Sequence, residues 1–73
     1  MAEVKVTSDM SARVWKIEVA AGDRVQAGDT LLVLEAMKME MPVEAPSAGV
    51  VKQILVTEAT TVEEGQVLVV LDA

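Results

Sequence analysis

Cysteine and histidine are both absent from this 73-residue chain. Their absence removes disulfides, thiolate nucleophiles, the commonest general base and any zinc set built on sulfur or imidazole. Phenylalanine and tyrosine are missing as well, and Trp15 is the sole aromatic, so a core has to come from aliphatic side chains. Cations are few: six Lys and Arg face twelve Asp and Glu, for a formal charge of −6. They are scattered rather than clustered, which argues against nucleic acid and leaves a basic surface as the expected electrostatic partner. No apolar run approaches the roughly 18 residues of a spanning helix. The start, Met1-Ala2-Glu3-Val4-Lys5, lacks the basic-then-apolar order of a signal peptide. The expectation is a cytoplasmic protein with no membrane contact, monomeric in isolation.

What is present is aliphatic and repeated. Hydrophobic residues make up 52% of the chain, enough for the core of one domain over 1–73. A shift of 37 lays Ile17 to Ala36 over Ile54 to Ala73, with identities at Ile17/Ile54, Val19/Val56, Val25/Val62, Gly28/Gly65, Leu31/Leu68, Val33/Val70, Leu34/Leu71 and Ala36/Ala73. Upstream, Ser11 to Lys16 matches Ser47 to Lys52 best at a shift of 36, which predicts one extra, bulged residue in the second copy. Alternation of Trp15, Ile17 and Val19 with Lys16 and Glu18, and the runs Leu31 to Leu34 and Val67 to Leu71, read as short strands. Ala21-Gly22-Asp23 and Ala27-Gly28-Asp29 read as turns. The predicted fold class is all-β: a flattened β-barrel or sandwich of two pseudo-twofold-related four-stranded halves, approximately 11–36 and 47–73. Val14, Ile17, Leu31, Val33, Leu68, Val70 and Trp15 are assigned to its core.

The copies diverge in one place. The joining segment, Met37 to Ala45, opens with Met37-Lys38-Met39-Glu40-Met41-Pro42, a join that has to be a hairpin with Lys38 near its tip. It contains neither Gly nor Asn, although a two-residue hairpin loop favours residues that tolerate positive φ. Methionines at an exposed tip gain nothing unless another surface reads them. Lys38 is no catalyst on its own, because a catalytic amine needs burial or neighbouring cations, and the chain has no His or Cys to serve as a familiar base or nucleophile beside it. The expectation is a non-catalytic protein whose lysine is acted upon.

The segment Glu35-Ala36-Met37-Lys38-Met39 resembles the attachment motif of the biotinyl domain family, the biotin carriers of biotin-dependent carboxylases. Gly22 to Asp29 precedes it and Ala45 to Val51 follows it as in that family, so the resemblance covers nearly the whole chain. It implies a flattened barrel with the modified lysine on an exposed hairpin, remote from both termini. It also implies that a biotin protein ligase attaches biotin to Lys38. Biotin carboxylase and carboxyltransferase are then the further partners. By the same resemblance Met37 and Met39 flank the lysine for recognition, Ala36 completes the motif, and Glu35 holds a position that lipoyl domains also fill with an acid.

The chain departs from the family in two ways. Asp9-Met10-Ser11-Ala12 stands where many biotin carriers have Pro-Met-x-Gly, and only Ala20-Ala21 separates Val19 from Gly22, leaving no room for a protruding thumb. One rival reading is a lipoyl carrier, with lipoate placed on Lys38 by a lipoyl ligase; the tip differs from the usual Asp-Lys-Ala on both sides. Another is an unmodified lipoyl-like interaction module, which commonly carries a helical insertion that has no space between Lys38 and Pro42.

Overall fold

The computed structural model describes residues 2–73. Eight strands follow in order: β1 (Glu3–Thr7), β2 (Ala12–Ile17), β3 (Arg24–Val25), β4 (Thr30–Ala36), β5 (Met39–Glu44), β6 (Gly49–Ile54), β7 (Thr61–Val62) and β8 (Val67–Asp72). They form two four-stranded antiparallel sheets, β1-β8-β6-β3 and β5-β4-β2-β7, the all-β double layer expected from the sequence. Between the sheets lie the fully buried side chains of Val14, Leu31, Leu32, Val51, Val62, Leu68, Val69 and Leu71. Aliphatic residues alone close this core: Val14 and Val62 lie between exposed neighbours, as in a strand with one face inward, whereas the interior strands β4 and β8 bury consecutive residues, Leu31-Leu32 and Leu68 to Leu71.

One operation relates the sheets. Adding 37 turns the β1–β8 partners Val4↔Leu71 and Lys5↔Val70 into the β5–β4 partners Met41↔Leu34 and Pro42↔Val33, with 71 and 70 returning to 34 and 33. The loops obey the same rule. Gly28 N–H donates to Ala45 O and Gly65 N–H to Ser8 O, each at 2.8 Å; Gly22 N–H donates to Val51 O and Ala59 N–H to Val14 O, at 2.7 and 2.8 Å. The pseudo-twofold predicted from the repeat is therefore present, and it reaches upstream of residue 11 to include β1 and β5.

Two expectations need correction. The second copy has no extra residue, because β2 and β6 carry the same bulge: Val14↔Leu34 is followed by Lys16↔Val33, and Val51↔Leu71 by Gln53↔Val70. The shift is 37 throughout, so Ala12 corresponds to Gly49 and not to Ala48. The bulge also removes Trp15 from the core, leaving it without a partner on β4 and 49% exposed. Upstream of the bulge Ala12 and Val14 face inward, downstream Ile17 and Val19 pack on the core, and the odd residue between them points out. Val14, Leu31, Leu68 and Val70 are buried as expected, whereas Ile17 and Val33 are half-buried.

Candidate functional site

β4 and β5 are joined by two residues only. Ala36 pairs with Met39, and Met37 and Lys38 form the turn between them. Their φ values are 52° and 64°, so both central residues are left-handed, the signature of a type I′ hairpin whose twist suits the flanking strands. Asn or Gly would adopt this conformation most cheaply, and neither is there; Met and Lys are held in a region that disfavours a Cβ. Apart from them, Ala59 is the one non-glycine residue with positive φ among the described residues, at 70°. The shift of 37 places Ala59 on Gly22, whereas Met37 and Lys38 have no such glycine mate.

The tip is solvent-facing. Met37 is 94% exposed and Met39 64%, Lys38 is exposed and Met41 half-buried, so the methionines do not fold back as a set onto the barrel rim. No ion pair or side-chain hydrogen bond holds the Lys38 amine among the described residues. Ala36 packs partly against the core beneath the turn. Glu35 is half-buried on β4, with Glu40 opposite it on β5 and Arg13 opposite it on β2. Sequence reasoning put Glu35 and Glu40 beside the lysine but had no signal for Arg13, which arrives from a strand far away along the chain.

The other end of the repeat is built differently. The pseudo-twofold carries the Ala36–Met39 pair onto Ala73 and Ala2, which exchange N–H to O bonds of 2.9 and 3.0 Å. The pair at the base of the tip thus has its counterpart in the Ala2–Ala73 pair, and the described residues place no second two-residue turn there. The outer faces differ too: Glu3 is the mate of Glu40 and Lys52 the mate of Trp15, and on that sheet Lys52 and Glu3 form an ion pair. The hydrogen bond from Lys52, then its charge, holds the Glu3 carboxyl below its ordinary pKa, and Glu3 raises that of Lys52. No equivalent pair forms beside the tip among the described residues.

A groove of about 460 Å³ runs between β1 and β5, lined by Val6, Met10, Leu34, Met41, Val43 and Pro46 among others; none of the tip residues 37–39 lines it. Among the described residues no group of three or more His, Cys, Asp or Glu side chains is placed to hold a metal, and no helix is long and apolar enough to cross a membrane. An exposed primary amine on a rigid turn can accept an acyl group on a flexible arm, provided an external enzyme activates both partners.

Known proteins match over the same span. The biotin/lipoyl family model, described as biotin-requiring enzyme, matches residues 2–71. A biotin/lipoyl attachment protein of Bacillus subtilis is 41% identical over 90% of this chain and 90% of its own length. The alpha3 subunit of a biotin-dependent acyl-coenzyme A carboxylase from Mycobacterium leprae is 44% identical over 86% of this chain, which spans 10% of that subunit. The crystal structure of Kluyveromyces lactis urea carboxylase superposes with a TM-score of 0.92 at 38% identity, covering 99% of this chain and 6% of the larger one.

Proposed function

Because this chain belongs to the biotin/lipoyl attachment family, a family of carrier domains rather than catalysts, we propose that Lys38 is its attachment lysine and biotin its cofactor. The observation that carries the reading is the position of Lys38 in a two-residue turn, with its neighbours at positive φ or strongly exposed. The site fits the group: the amine is unpaired, and Glu35, Ala36, Met37 and Met39 surround its base without covering it.

A biotin protein ligase supplies the activated carboxyl and takes up the lysine proton. Nζ of Lys38 then attacks the acyl carbon, the C–N amide bond forms and the activating group leaves. When attached, the bicyclic ring supplies the atom that takes up and releases a carboxyl group between a biotin carboxylase and a carboxyltransferase. The chain's own part is to hold the arm at one end of a rigid body, with Met37 and Met39 offering the apolar contacts that a ligase reads. This work belongs in the cytoplasm, on a monomer.

A second reading has one specific support, the name of the Bacillus relative, which covers lipoate as well as biotin over nearly the full length of both chains. On that reading Lys38 also accepts lipoate from a lipoyl ligase. Intact mass after expression in a host with both ligases separates the outcomes. Gain of one biotin less one water supports the first reading, a lipoyl increment on part of the sample supports dual attachment, and an unmodified chain under full ligase activity contradicts both.

A further inference from the structure

Sulfur in this protein is carried by methionine alone, since the chain has five Met and no Cys. The described methionines are not equivalent. Met37 is 94% exposed, Met39 64%, Met10 39%, and Met41 is half-buried on β5. The two most exposed of the described methionines therefore flank Lys38, Met37 in the two-residue turn at a φ of 52° and Met39 at the first position of β5.

We propose that Met37 and Met39 are an oxidation site that gates attachment at Lys38, an inference that rests on the function proposed above. The step is a two-electron oxidation: the thioether sulfur attacks a peroxide oxygen, the O–O bond breaks, the sulfur becomes a sulfoxide and water leaves. A sulfoxide is polar and chiral where the thioether was apolar. A ligase pocket shaped for an apolar side chain rejects such a change, because loss of one apolar contact alone changes discrimination by roughly 10- to 200-fold. Oxidation leaves the body of the protein intact, since neither side chain belongs to the core cluster. The modification is reversible by methionine sulfoxide reductases, so unmodified carrier would be held back from loading under peroxide and released afterwards.

The test uses the unmodified full chain treated with graded hydrogen peroxide, followed by peptide mapping and initial rates with purified biotin protein ligase. Oxygen is expected on Met37 and Met39 before Met10 and Met41. The ligase kcat/KM should fall about tenfold or more as the tip oxidises, and recover after methionine sulfoxide reductases act. A Met37→Leu, Met39→Leu double variant should show the same rate before and after peroxide, whatever its starting rate. Earlier oxidation at Met10 or Met41, or an unchanged rate on protein oxidised at the tip, overturns the proposal. Untreated protein that is not labelled at all overturns the attachment reading itself, a result distinct from either.

Discussion

Ala59 holds φ at 70° in the turn where the first copy has Gly22 at 96°, and that mismatch is a cost without a visible return. Relieving a left-handed alanine outweighs the extra chain entropy of glycine. Ala59→Gly should therefore raise stability by about 0.5–1 kcal/mol, read by urea or thermal unfolding with attachment unchanged. Trp15 was misplaced by alternation because a single bulged residue inverts the phase of a strand; its mate at a shift of 37, Lys52, is the signal that would have placed it outside. The tip residues make a different prediction, since Met37 and Met39 are too exposed to serve packing. Changing Met37→Asp and Met39→Ala together should lower the initial rate with biotin ligase relative to lipoyl ligase by roughly 10-fold or more, without lowering the unfolding midpoint, since Asp tolerates the left-handed turn position at least as well as Met. An unchanged ratio would place specificity elsewhere on the barrel.

The β4–β5 hairpin puts function and stability in opposition. A type I′ turn built from Met and Lys bears the steric penalty of two left-handed residues. Replacing Met37-Lys38 by Asn-Gly should raise stability by about 1–2 kcal/mol in denaturant unfolding while abolishing labelling, whereas lower stability would mean that the present side chains support the turn. The hairpin was legible in sequence because it is where the copies stop matching and where Pro42, which fits the edge strand β5, begins the way back. Its conformation was not legible, since Met and Lys carry none of the glycine signal of such turns. Register was misread for a related reason. In a Val-rich segment Val14 can be laid on Val50 or on Val51, and only their partners, Leu34 for Val14 and Leu71 for Val51, decide the matter.

Across the whole molecule the pseudo-twofold assigns the two ends different tasks: one is closed by backbone bonds between Ala2 and Ala73 and the other presents Lys38. The fold could be read from a repeat of residues because the same pairings are made twice, while the exposed faces, free of that constraint, diverged. Their electrostatics give a pH prediction. Glu3 has its folded-state pKa lowered by Lys52, so its contribution is present above the ordinary glutamate value and lost as pH falls through the folded value. Lys52 has its own raised, so its share is present below the ordinary lysine value and lost as pH rises through the folded one. Glu3→Gln should thus lower the unfolding temperature slightly at neutral pH, with the two proteins converging in strong acid; both groups are exposed, so the gap stays small. A gap that widened in acid would refute the pairing.

The central claim is that one lysine of this body, Lys38 at the tip, accepts the cofactor. Peptide mapping after incubation with purified biotin protein ligase, ATP and biotin tests it most directly, with Lys38→Arg beside the wild type. The account predicts one biotinyl group on Lys38, none on Lys5, Lys16 or Lys52, and no labelling of the variant. Biotin on any other lysine, or undiminished labelling of Lys38→Arg, would contradict it.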